Sequence, residues 1–410
     1  MGKKELELYI HIPFCVKKCN YCDFLSFPAD ESTQETYVKA LKKEIAFYGA
    51  QYPDRVITTV YIGGGTPSWL TENHMAAILS QVFTSFSVEA DAEISIECNP
   101  GTITDHKFSV YKQSGINRLS IGLQSPDNEE LKVLGRIHNF EQFLKTYEMA
   151  RNHGFSNINI DMMYALPGQT AEKIFENLQQ VLRLRAEHIS AYSLMIEKGT
   201  PFYDLYKFDV VKQQAGMTTD ALPEEDEVYR ITKVTEQVLK EAGYVQYEVS
   251  NFALPGFVCR HNIGYWKRAD YLGVGLGAAS LIDNIRYSNT REIYTYFKEI
   301  ENLRAGFWQQ ESGEGRERKL PATNLHASVE PVERKAQMEE TMFLGLRMTE
   351  GIYRTEFEQN FGIPVEAVYG GVLQHLQEEG LLLKREGRIY LTERGQDLSN
   401  YVLAQFLLEK

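Results

Sequence analysis

No apolar run in this 410-residue chain approaches the roughly 20 residues that a membrane-spanning helix needs. The opening Met1-Gly2-Lys3-Lys4-Glu5 lacks the apolar core of a signal peptide, so the expected location is cytoplasmic. Cysteine is scarce: five residues, an odd number, suit a reducing compartment better than a disulfide scaffold. Positive charge is in deficit, with 43 Lys and Arg against 56 Asp and Glu. The resulting net charge of −13 argues against a surface built for nucleic-acid phosphates, and no nucleic-acid partner is expected. A second C-x2-C pair is also missing. Cys98 and Cys259 stand alone, whereas a structural zinc site usually draws its four ligands from two such pairs.

What is present is the composition of an ordinary globular protein, 43% hydrophobic and 24% charged, with enough length for two domains. Three of the cysteines, Cys15, Cys19 and Cys22, are spaced C-x3-C-x2-C directly after an alternating run, Glu5 to Ile12, that reads as a strand. Three thiolates on one tight loop can hold three corners of a [4Fe–4S] cube and leave the fourth iron without a protein ligand. An open metal position beside a pocket is a place for chemistry.

From residue 5 to about 195, strand-like and helix-like stretches alternate. The expected strands are 6–12, 56–62, 92–97, 118–123, 157–163 and 189–194. Between them, Ser32-x-x-Glu35 reads as a capping box, followed by the apolar face Tyr37, Leu41, Ile45 and Tyr48. A helix after Thr170 presents Ile174, Leu178, Val181 and Leu182. Six strand–helix units imply a parallel sheet with helices outside it, too few for a closed eight-stranded barrel. The expected fold is therefore α/β, a partial (β/α)6 barrel.

In such folds the C-terminal ends of strands carry function. Here those ends are the cysteine loop, then Gly63-Gly64-Gly65-Thr66-Pro67-Ser68, Glu97-Cys98-Asn99-Pro100, Gln124-Ser125, and Asp161 leading to Leu166-Pro167-Gly168. A glycine run alone more often marks a tight turn than a site. Distinctive residues at five successive strand ends make a site.

The cysteine spacing, with Tyr21 just before the third cysteine, resembles the radical S-adenosylmethionine (SAM) superfamily. That resemblance implies a [4Fe–4S] cluster whose open iron chelates SAM. Within its HemN/HemW branch it implies that Gly64, Gly65 and Thr66 bind the SAM amino group through backbone carbonyls. It also implies that Tyr9, Tyr21, Glu97, Gln124, Arg136 and Asp161 are SAM-contacting positions. A structural Arg136–Asp161 ion pair is the plainer alternative for those two.

Beyond residue 200, Pro223 to Glu227 opens an acidic helix running to about Gly243, followed by strand-like 244–249. Cys259-Arg260-His261-Asn262-Ile263-Gly264-Tyr265-Trp266 then forms a turn-rich segment whose residue types suit a flat, polarisable ligand, with His261 and secondarily Cys259 as axial candidates. Its H-N-x-x-Y-W pattern resembles the haem-chaperone members of the branch, implying haem as cargo with His261 at its site. Gly273-x-Gly275-x-Gly277 lacks the strand–turn–helix context of a dinucleotide fingerprint. The expected divisions are a barrel at 1–205, an extension with the haem loop at 206–308, a polar linker at 309–330, and a winged-helix-like α+β module at 331–410. In that module, helices at 333–347 and 365–378 precede a hairpin turning at Glu386-Gly387.

The alternative within the branch is oxygen-independent coproporphyrinogen III oxidase. It carries a further cysteine two positions after the third ligand, where Phe24 stands here, and an N-terminal segment for which only eight residues precede Tyr9. The resemblance therefore implies a haem chaperone that uses an electron donor for its cluster. It would hand haem to acceptor proteins, expected to be respiratory enzymes, with at most transient membrane contact.

Overall fold

The computed structural model describes residues 3–303 and 324–408. Its first half runs β1 (Lys4–Ile12), α1 (Glu31–Gln51), β2 (Arg55–Gly64), α2 (Glu72–Ser85), β3 (Ser87–Cys98), α3 (Asp105–Gln113), β4 (Arg118–Gln124), α4 (Asn128–Val133), α5 (Phe140–Asn152), β5 (Ile158–Tyr164), α6 (Ala171–Leu182) and β6 (His188–Ser193). The six strands lie side by side in chain order, all parallel. Their alternation sets two faces. On β1, Leu6, Leu8, Ile10 and Ile12 are fully buried in the core shared with the helices, while Glu7, Tyr9 and His11 point to the inner face.

The apolar face of α1 (Tyr37, Leu41, Ile45, Tyr48) is fully buried, but its cap differs from the expected Ser32. Asp30 accepts the Thr33 amide at 2.8 Å, and Ser32 lies inside the first turn, where its hydroxyl no longer serves as N-cap.

The chain continues through α7 (Pro201–Gln214), α8 (Glu225–Glu241), β7 (Val245–Gln246), β8 (Asn251–Ala253), α9 (Arg260–Trp266), β9 (Tyr271–Val274), β10 (Ala279–Ile282), β11 (Ile285–Asn289), α10 (Ile293–Asn302) and β12 (His326–Pro331). These strands widen the sheet on both sides: β9 adds parallel to β1 and leads to β10, β11 and β12, and β8 adds antiparallel to β6. Three sequence expectations change. The strand at 244–249 shrinks to two residues, the turn-rich 259–266 segment is a short helix, and the end of the 309–330 linker is an edge strand. The part of that linker before residue 324 lies outside the described residues.

A second core gathers Met342, Phe357, Leu373, Ile389 and Phe406. It joins α11 (Arg334–Gly345), β13 (Ile352–Tyr353), α12 (Arg354–Phe361), α13 (Val365–Glu378) and the hairpin β14 (Leu382–Arg385) to β15 (Arg388–Leu391). Glu386 and Gly387 both take positive φ, 51° and 77°, as a two-residue hairpin turn requires.

Candidate functional site

The cysteine loop is stitched shut by backbone. Cys15 N donates to Phe27 O (3.1 Å) and Phe27 N to Pro13 O (2.9 Å). On its other flank, Gly65 N and Thr66 N donate to Ile12 O (2.8 Å) and Phe14 O (2.7 Å). Glycine is required there. A Cβ on Gly65 would lie 2.8 Å from Phe14 O and 3.1 Å from Cys15 Sγ, and one on Gly64 (φ +114°) would meet the His11 ring at 2.5 Å.

Cys15, Cys19 and Cys22 line a cavity of ≈ 320 Å³ at the strand C-termini. Thr66 Oγ1 donates to Cys15 Sγ at 3.4 Å and Arg136 Nη1 to Cys19 Sγ at 3.5 Å, so two of the three sulfurs are oriented by neighbouring donors. Among the described residues no trio of His, Cys, Asp or Glu converges as ligands of a single ion would. A cubane, taking each thiolate on a different iron, has no such requirement.

Tyr21, Gly64, Gly65, Thr66, Glu97, Gln124, Arg136 and Asp161 line the same cavity. Glu97 accepts from Tyr61 Oη and Gly64 N, both at 3.1 Å. Burial, reinforced by the charge of Asp161, pushes its carboxyl up to about 7. Burial also raises Asp161, against hydrogen bonds from Asn159 and Ser120. Arg136 makes no ion pair with Asp161. Its Nη2 is held by Asn99 Oδ1 (2.9 Å) and Gly122 O (2.7 Å), and its buried Nε has no partner, leaving a donor for a ligand. Gln124 sits at φ +74°, a strained backbone for a side chain, where β4 slips register against β5.

Tyr9 and His261 are not brought to this cavity. His261 is buried at 2% exposure, with Thr59 Oγ1 on one ring nitrogen (2.7 Å) and Tyr265 Oη on the other (2.9 Å). Burial and the nearby Arg118 charge push it down to about 3. Tyr9 and the H-N-x-x-Y-W aromatics Tyr265 and Trp266 instead line a second compartment of ≈ 360 Å³ with Tyr271, Leu281, Leu344, Arg268 and Arg286. Pairing of β1 with β9 and of β10 with β9 and β11 puts Tyr271, Leu281 and Arg286 in one row across the inner face. Sequence reading did not identify Ser120, Ser190, Tyr192 and Asn251, which line the first cavity. The signal was the period of two on β4 and β6, where Ser120, Gly122 and Gln124, and Ser190 and Tyr192, share the inner face.

Fold and site together define a radical SAM protein. Residues 9–181 match the radical SAM superfamily and residues 332–398 the HemN C-terminal domain. The solved structure of Escherichia coli coproporphyrinogen III oxidase (HemN), described as a radical SAM enzyme, superposes with a TM-score of 0.81 over 99% of this chain and 90% of that one. At 23% identity this is a likeness of fold. The chain is 34% identical to the heme chaperone HemW of Lactococcus lactis subsp. lactis, covering 100% of this chain and 99% of the relative. It is 33% identical to the heme chaperone HemW of Bacillus subtilis, covering 98% and 99%. The chain belongs to the HemW heme chaperone family. Among the described residues no helix is long and apolar enough to cross a membrane.

Proposed function

We propose that the chain is a [4Fe–4S]- and SAM-binding haem chaperone that carries haem and passes it to an acceptor protein. The observation that carries this reading is the match, from end to end, to relatives named for that role. Cys15, Cys19 and Cys22 would hold three irons, and the cavity residues fit SAM. The free Nε of Arg136 suits its carboxylate, Glu97 and Asp161 suit its amino and ribose groups, and the Gly64–Thr66 backbone leaves room for close approach. When bound and reduced, the cluster supplies the electron for SAM cleavage. The protein's part is to position SAM beside the open iron.

For haem, the second compartment supports the reading better than His261 does. Tyr265, Trp266 and Tyr271 offer faces for a macrocycle, and Arg268 and Arg286 offer cations for its carboxylates. Both arginines share the single carboxylate of Glu340, at 2.6 and 2.9 Å, so that pairing compensates only one of their two positive charges. His261 acts on this compartment through Tyr265. An electron donor, a respiratory acceptor and transient membrane contact complete the proposal. The oxidase alternative is disfavoured by Phe24, 68% exposed at the cavity rim where that enzyme carries a cysteine.

Anaerobic titration of the cluster-loaded protein with haem tests the reading. A saturable Soret shift is expected, weakened ~tenfold by Trp266→Ala and less by His261→Ala. Absence of saturable binding, or turnover of coproporphyrinogen with release of 5′-deoxyadenosine, would replace the chaperone with the oxidase.

A further inference from the structure

Beneath the cysteine cavity a single file of buried side chains joins Asp161 to the start of α9. We infer that Asn159, His188 and Tyr247 are positioning residues that couple the Asp161 carboxylate to the placement of α9, and so join the two compartments. Only the roles of the two ends rest on the proposed function; the coupling itself is a property of the chain.

Cys259 N, at the N-cap of α9, donates to Tyr247 Oη at 3.3 Å. Tyr247 Oη lies 2.8 Å from His188 Nε2, and His188 Nδ1 lies 2.6 Å from Asn159 Oδ1. Asn159 Nδ2 donates to Asp161 Oδ1 and to Ser120 Oγ, both at 2.7 Å. Tyr247, His188 and Asn159 are buried, at 6%, 0% and 2% exposure.

One proton assignment satisfies every member. An ionised Asp161 can only accept, which turns the Asn159 amide nitrogen toward it and the amide oxygen toward His188. His188 is then the neutral Nδ1–H tautomer, its Nε2 takes the Tyr247 proton, and the Tyr247 oxygen is free to accept from Cys259 N. Reversing the file would place the Asn159 oxygen against a carboxylate and leave the Tyr247 proton without an acceptor. The file is polarised from its charged end by Asp161, with the buried Arg118 guanidinium acting on Asp161, His188 and Tyr247 from beside it, and loss or redirection of the Asp161 charge is felt at each bond in turn. At the far end, α9 carries Tyr265 and Trp266, which line the second compartment. The other carboxylate on the start of α9 is Glu93, which accepts from Cys259 Sγ at 3.4 Å, Arg260 N at 3.0 Å and His261 N at 3.3 Å and so holds α9 from the opposite side of Cys259 N.

The test uses the full-length, cluster-loaded protein without SAM or haem, so its outcome is independent of the haem titration. Hydrogen exchange is followed in residues 258–266. Asp161→Ala is expected to speed exchange at the start of α9 ~fivefold, and Asp161→Asn, which keeps the shape and loses the charge, by a smaller factor. In a Tyr247→Phe background, where exchange is already fast, the Asp161 substitutions should add nothing. Nitrogen-15 spectra should show His188 as the Nδ1–H tautomer and lose that signature in Asp161→Ala. If Asp161 substitution leaves 258–266 unchanged while Tyr247→Phe accelerates it, the contact is local and the inference fails. It fails equally if Asp161→Ala acts as strongly in the Tyr247→Phe background as in the unsubstituted chain.

Discussion

Glu7 lies on the inner face of β1 with Oε2 buried, 3.7 Å from His261 Nδ1 and without a hydrogen bond, and burial, aided by the charge of Glu93, pushes its carboxyl up to about 9. The folded chain therefore keeps a proton that the unfolded chain has released above its ordinary value near 4.5. The contribution of Glu7 to stability must fall as pH rises from about 4.5 to about 9 and level off outside that window. Glu7→Gln should be stabilised over wild type across that range, by up to ~1.4 kcal/mol per pH unit, as read from denaturation midpoints. At the cavity, serine at Cys15, Cys19 or Cys22 should each abolish the brown iron–sulfur chromophore, and serine at Cys98 or Cys259 should leave it intact. Gly65→Ala should lower cluster content too, because its Cβ is wedged between Phe14 O and Cys15 Sγ. The cysteines and the Gly64–Thr66 turn were legible in the sequence because spacing and a missing Cβ are written locally. The orientation of His261 was not, because it depends on Thr59 and Glu7 on two other strands.

Among the elements, the six parallel strands were legible because each carries a buried apolar row at alternate positions, bounded by turn residues. The other row misleads. Glu7, Glu93, Arg118, Asn159 and His188 resemble the solvent side of half-buried strands, yet all are less than 8% exposed, because that face closes on α9 and its neighbours. The strands from β8 to β12 escaped notice because most are three to five residues long and paired by their neighbours rather than by their own pattern. Helix caps are a sharper local signal. Asn139 and Gln142 form a reciprocal capping box on α5, at 2.9 Å in both directions, and Asn139→Ala should cost ~1 kcal/mol in equilibrium unfolding without changing cluster content.

At the scale of the whole molecule, the C-terminal module is tied to the sheet through Glu340 on α11, which binds Arg268 beyond α9 and Arg286 on β11. The same residues border the second compartment, so the module's contact with the barrel and the proposed haem seat are one structure. Glu340→Gln should loosen the module and strengthen binding of a dianionic ligand by freeing the arginines, a pair of effects that calorimetry and haem titration would separate. A haem chaperone carries haem in order to hand it on. The most direct measurement loads the cluster-containing protein with haem under anaerobic conditions and mixes it with the haem-free form of a respiratory haem protein, following the Soret band. Transfer should accelerate with acceptor concentration and outpace haem release to a large excess of apomyoglobin. Transfer no faster than that spontaneous release, at any acceptor concentration, would contradict the chaperone role.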